Sequence, residues 1–274
     1  MPHYARQPRC EECQRTLQNA PLAPNYSGAV PRMSGPDPSF RDDDGSADRG
    51  VTEALQAFAA SRGSERAALT ALASSRLLVP VVAVLAERSG PAEKASEMAM
   101  PTLIGLDGRR AIPAFTCLDS MRGWRADARP VAAAADRVWQ AAAADCCAVI
   151  IDVAGPVPLA VEGARLAALA QGQPVPAPCT DSDVHEIVTD VLAGQLAVAA
   201  FELRPGGPEH DLVIALTLSS QSAGHDVADL AAGLGKAVMA RLGGRLRRGI
   251  AIFLGDAAGP GERPPGTPRA GAPA

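Results

Sequence analysis

Apolar residues recur along the chain with two periods, and the switches between them mark out its elements. Val51, Ala54, Leu55, Phe58 and Ala59 share one helical face, with Thr52 and Ser64 placed to cap two short helices ending near Ser75. Residues 77–85, LLVPVVAVL, are rich in β-branched side chains and read as a strand. In PTLIGLDGRRAIPAFT, Asp107-Gly108 separates two extended runs and predicts a hairpin. Pro113 has no N–H, so its strand is expected at an edge or a bulge. CLDSMRGW follows as a short helix and ARPVAA as an extended piece. Ala135, Val138, Trp139 and Ala142 return to helical spacing, CAVIIDV reads as a buried strand, and LAVEG leads to a helix carrying Leu166, Leu169 and Ala170.

Residues 173–182, QPVPAPCTDS, contain three prolines in a short polar stretch and read as a linker between domains. Beyond it, Val184, Ile187, Val188, Val191 and Leu192 form an amphipathic face. LAVAAFEL and DLVIALTL read as two strands joined by the RPGGPEH loop. Val227, Leu230, Ala231, Leu234 and Val238 make another helix, stopped by Gly243-Gly244 before the strand IAIFL. The pattern predicts an α+β protein of two small domains, residues 50–172 and 183–255, the second an αββαβ unit with its helices on one face of a sheet. Residues 1–49 and 256–274, rich in proline, glycine and charge, show no apolar periodicity and are expected to be disordered extensions.

Composition narrows the partners. The chain has 274 residues, 47% of them hydrophobic but only 3% aromatic, so its cores are expected to be tight and aliphatic. A net charge of −4 gives too weak a field to call for a nucleic-acid or membrane partner. Arg241, Arg245, Arg247 and Arg248 form the one basic cluster and read as a solvated helix end rather than a phosphate patch. No apolar run is long enough to span a bilayer and no signal peptide opens the chain, which predicts a cytoplasmic protein. The 6 cysteines are expected to be free thiols. Cys10 and Cys13 have the spacing of half a zinc site, but no second pair completes it, and no metal or other cofactor is expected. Adjacent Cys146 and Cys147 read as small buried hydrophobes.

Taken in order, LLVPVVAVL, KASEMAMPTLIGLDGRRAIPAFTCLDSMRGW, ARPV, AVIIDVAGP and LAVEGARLAALAQG resemble the SseB family, named for enhanced serine sensitivity. The resemblance covers about residues 51–172, and the αββαβ unit is similar to that family's C-terminal domain. It implies a fold, and it brings no catalytic residue with it. The family commonly has a small residue such as serine after FT, where this chain has Cys117, so a necessary thiol is not implied.

Cys117 is the one candidate nucleophile. It stands where a helix begins, with Thr116 as a possible cap, and the helix dipole favours a thiolate there. Its interval to Arg122 equals that of an anion-binding loop, but CLDSMR has no internal glycine and carries Asp119, which would repel an anion. Asp152 ends a buried strand, where an acid can serve catalysis or cap the next turn. Ser120 and Asp152 could form a triad with His185, His210 or His225, although no nucleophile elbow joins them. The reading preferred here is a non-catalytic binding or regulatory protein with a groove at Phe115, Thr116, Trp124 and Arg129 that takes a protein or small molecule. The alternative is a thiol-dependent enzyme of sulfur or serine metabolism using Cys117.

Overall fold

The computed structural model describes residues 38–85, 96–105, 108–145, 147–219 and 227–255. The first part runs α1 (Arg49–Ala59), α2 (Glu65–Ala73), β1 (Arg76–Leu85), β2 (Ser96–Ala99), β3 (Leu103–Ile104), β4 (Arg110–Ala114) and α3 (Leu118–Trp124). It continues with β5 (Arg129–Ala134), α4 (Ala135–Ala144), β6 (Ala148–Ile151), β7 (Leu159–Val161) and α5 (Gly163–Ala170). The helical periodicity translates directly into burial. Val51, Leu55 and Phe58 of α1, and Ala135, Val138, Trp139 and Ala142 of α4, are the buried faces. Ser64 caps α2 as expected, but α1 is capped by Asp48, which accepts from the Val51 amide, while Thr52 lies inside the helix. The fold is α+β.

The strands form two small sheets, β2-β1-β5 and β3-β4-β6-β7, and two prolines explain why they are not one. Leu78 of β1 and Phe115, just past β4, exchange both backbone hydrogen bonds at 2.8 Å as an antiparallel bridge. The next hydrogen-bonded pair of that ladder is Pro80 facing Pro113, and neither has an N–H to give. Pairing therefore stops after a single bridge. The same alternation reconciles Pro113 with an interior strand. Ala114 turns its carbonyl to Asp152, so Pro113 turns its nitrogen the other way, into the gap between β3 and β1. On β1, Pro80 lies opposite Pro130 of β5 in a pair that makes no ladder bond, so that ladder is unharmed.

Most buried apolar residues of this part form one core. It is centred on Trp139, Phe58, Leu69, Leu72 and Leu77 and reaches Val175, within the proline-rich stretch. After that stretch come α6 (Ser182–Leu192), β8 (Val198–Pro205), β9 (Leu212–Leu218), α7 (Val227–Leu242) and β10 (Ile250–Gly255). The sheet order is β10-β9-β8, with β8 and β9 antiparallel and β10 parallel to β9 across the α7 crossover. Leu212, Ile214 and Leu216 pack with Val184, Val188, Leu234 and Val238, so both helices cover the same face of the sheet. This is the expected αββαβ order.

The expected extensions 1–37 and 256–274 lie outside the described residues, as do Asp107, Cys146 and His225. Residues 38–48 also fall within the stretch read as an extension, yet they are fastened to the domain. Asp43 pairs with Arg76 at 2.7 Å, Ser46 accepts from the same guanidinium, and the Gly45 carbonyl accepts from the Leu118 amide. These bonds are polar and reach across 30 or more positions of the chain, so apolar periodicity gave no sign of them. A chain cut at Gly50 is expected to be less stable than one cut at Pro38 by about 1–3 kcal/mol, because Arg76 and the Leu118 amide lose their partners. Matched denaturant titrations of the two truncations check this, and equal midpoints would refute it.

Candidate functional site

Of the residues proposed from sequence, Phe115, Thr116 and Trp124 lie where β4 passes into α3. Phe115 is fully buried, at 0% exposure, and packs with Leu78, Val82 and Met121. Trp124 lies at the other end of α3, half-buried, with its ring centroid 5.6 Å from that of Phe115. It bridges two small apolar clusters, one around Phe115 and one around Leu103 and Ile150. Arg129 opens β5 and is exposed. The structure thus brings the two rings together but turns Phe115 inward. Of the four residues named, Trp124 and Arg129 are those with substantial exposed surface.

Beneath the rings lies a polar corner built on Asp152. This residue follows β6 with φ +48°, a left-handed conformation that aspartate tolerates, and is 3% exposed. Its carboxylate does not cap the following turn. One oxygen accepts from the Thr116 amide at 2.9 Å and the other from the Thr116 hydroxyl at 2.6 Å, with a further hydrogen bond from Ser120. Burial raises the Asp152 pKa above the ordinary carboxylate value, against the pull of those hydrogen bonds. Gly155 closes the turn by donating to the Asp152 carbonyl at 2.7 Å. A Cβ on Gly155 would sit 2.7 Å from the Asp152 Cβ and 2.9 Å from the Ser120 Oγ, so only glycine fits.

The cap of α3 is Cys117 rather than Thr116. Its Sγ accepts from the Ser120 amide at 3.5 Å and lies 3.4 Å from the Ser120 Oγ. Thr116, one residue earlier, is spent on Asp152, and its carbonyl accepts from Arg76 at 2.9 Å. Ser120 and Asp152 do meet, as the triad reading required, but the histidines do not join them. The ring of His185 lies against Phe201 at 5.1 Å, and His210 stands in the loop between β8 and β9. Cys117, Cys147 and Cys179 are free thiols, and Cys147 is buried. Among the described residues, no group of His, Cys, Asp and Glu is placed to hold a metal.

A second cluster was not anticipated. Arg165 of α5, 3% exposed, pairs with Glu65 at the start of α2. Arg245, after α7, pairs with the same Glu65 at 3.4 Å and with Asp181 at 2.5 Å. Asp183 of α6 accepts from the Ala164 amide at 2.8 Å, so the N-terminus of α5 is capped by a residue of the following unit. This close approach needs Gly163, which has φ +58° and whose missing side chain leaves room for the Asp183 carboxylate. Burial lowers the Arg165 pKa and raises that of Asp183. For Arg245, burial opposes the charge, but Glu65 and Asp181 outweigh it and hold the pKa above the ordinary value.

The basic run read as a solvated helix end is thus largely committed to carboxylates. Arg245 lies in this network, Arg248 grips Asp211 at 2.7 Å, and Arg241 pairs with Asp190 at 3.2 Å. Arg247 lies over the Phe58 ring at 5.2 Å. The acids that claim these arginines stand far away in the chain, where local spacing cannot reveal them. The polar stretch read as a linker is also held, through Val175, whose carbonyl accepts from Arg66 at 2.9 Å, and through buried Asp181.

The fold and its polar corner define an α+β protein with a mixed-sheet domain ahead of an αββαβ unit, and no described helix is long and apolar enough to cross a membrane. Residues 51–168 match the family model of the SseB protein N-terminal domain, and this part of the chain is such a domain. No curated protein and no solved structure matches the chain.

Proposed function

We propose that this protein is a non-catalytic cytoplasmic binding or regulatory protein whose partner docks on the surface of the β4–α3 corner. Residues 183–255 serve in this reading as an SseB-like C-terminal domain. The observation that carries it is the division of labour at the corner. Trp124 and Arg129 offer a ring and a cation at the surface, while Phe115 backs the ring and Thr116 fixes the backbone below. Rings with a rigid backing and arginines supply large contact area and directed donors at partner surfaces. The groups that could do chemistry are engaged elsewhere: both Asp152 oxygens hold Thr116, and the Cys117 sulfur caps α3.

The test uses the native tryptophans. Trp139 is fully buried, at 0% exposure, so iodide-accessible emission reports on Trp124. The expected result is a quenchable component that disappears in Trp124→Phe and is protected when a partner binds. Emission with no accessible component would remove Trp124 from the docking surface. The thiol-enzyme reading keeps one point in its favour, the partial exposure of Cys117. It requires fast alkylation of Cys117 under native conditions and loss of function in a folded Cys117→Ser protein. A serine that retains function leaves the binding reading standing.

A further inference from the structure

We propose that β10 is an association edge, and that its occupant is the β10 of a second copy of this chain, running antiparallel about a two-fold axis through Ile252. The two edges of the C-terminal sheet are built differently. On β8, Glu202 and Arg204 pair with each other on the exposed face, Pro205 removes a donor, and the ladder is interrupted between Val198 and Ala200. Charges, prolines and bulges are the usual means of keeping an edge from pairing. β10, with the sequence IAIFLG, has none of them, and among the described residues no strand pairs with its outer side.

The backbone sets which groups are on offer. The Gly249 carbonyl accepts from the Asp211 amide at 2.9 Å, so the odd-numbered residues of β10 direct their N–H and C=O groups toward β9. Ile250, Ile252 and Leu254 therefore direct theirs outward. The same strand carries Phe253, whose ring is 61% exposed and lies level with Ala215 on the sheet face that the helices leave uncovered.

A second copy fits this edge because the strand is close to self-complementary. With the axis at Ile252, that residue pairs with itself and Ile250 pairs with Leu254, making about six hydrogen bonds from the outward groups of the two strands. Phe253 then lies opposite Ala251, a large ring over a small side chain, and Gly255 lies opposite Gly249. The area covered by one short strand pair falls below the ~1,200 Å² of a stable interface. The dimer is accordingly weak and depends on concentration.

The test uses the full chain, with sedimentation to give the oligomeric state and amide hydrogen exchange read by NMR at low and high concentration. The expected result is a dimer in which the amides of Ile250, Ile252 and Leu254 gain protection as concentration rises. Those of Ala251 and Phe253, already bonded to β9, should change little. Phe253→Lys is expected to weaken dimerisation by at least about tenfold. Because that side chain is exposed, the variant should keep the thermal transition of the parent. A monomer up to about millimolar concentration, or a dimer whose even-numbered amides stay unprotected, overturns the proposal. Protection of those amides at every concentration overturns it too, because it shows another part of the same chain on the edge.

Discussion

Replacing Glu65 with alanine is expected to lower stability by about 3–5 kcal/mol, the usual cost of removing one partner from a buried ion pair. Glu65 is the carboxylate shared by Arg165 and Arg245. Without it, Arg165 is a buried cation whose Nε already lacks an acceptor among the described residues. Burial opposes the charge on Arg165, and Glu65 is the chief counterweight. The loss should therefore greatly exceed that from breaking an exposed pair such as Arg204 with Glu202. The double variant Glu65→Leu with Arg165→Met removes both charges and should recover most of the stability. Urea titrations of the three proteins decide the matter, and a Glu65→Ala protein as stable as its parent would show that the pair is not buried in solution.

Asp152→Ala is the second large effect, expected at about 2–4 kcal/mol, because the buried Thr116 amide and hydroxyl both lose their acceptor. Asp152→Asn keeps one acceptor oxygen and should cost less. The two also differ in pH dependence. The folded pKa of Asp152 is raised above the ordinary carboxylate value, so its contribution to stability is fully present below that ordinary value and is lost as pH rises through the folded pKa. The advantage of the parent over Asp152→Asn should thus be greatest in mild acid and shrink toward neutrality. Asp183, also raised by burial, shifts the parent in the same sense and leaves that difference unchanged. An advantage that grows with pH instead would mean that the fold favours the ionised carboxylate.

What could be read from the chain without coordinates follows from the range of each interaction. The faces of α1, α4 and α6, the β3–β4 hairpin and the order of the αββαβ unit depend on near neighbours, and spacing alone showed them. Thr116 and Asp152 are 36 positions apart, and Glu65 and Arg245 are 180 apart. Each is an ordinary polar residue until the fold supplies its partner. That is why the candidate groove contained Thr116 but not the carboxylate that holds it, and why Arg245 was read as facing solvent. Phe115 shows the reverse case: the sequence marks an aromatic, but only its position at the Leu78 bridge turns the ring inward.

The facing prolines on β1 and β4 have a consequence for motion. Because, among the described residues, a single pair of backbone hydrogen bonds at Leu78 and Phe115 joins the two sheets of the first part of the chain, the backbone does little to make them open as one. What couples them is side-chain packing, above all the shared core around Leu77, Val79, Ile112 and Trp139. Hydrogen-bonded ladders and packed cores yield at different free energies, and segments joined by few backbone bonds form separate opening units. The β2-β1-β5 sheet is therefore a unit that can loosen while β3-β4-β6-β7 keeps its ladder, and the β4–α3 corner, with Trp124 at its surface, sits on the seam between them.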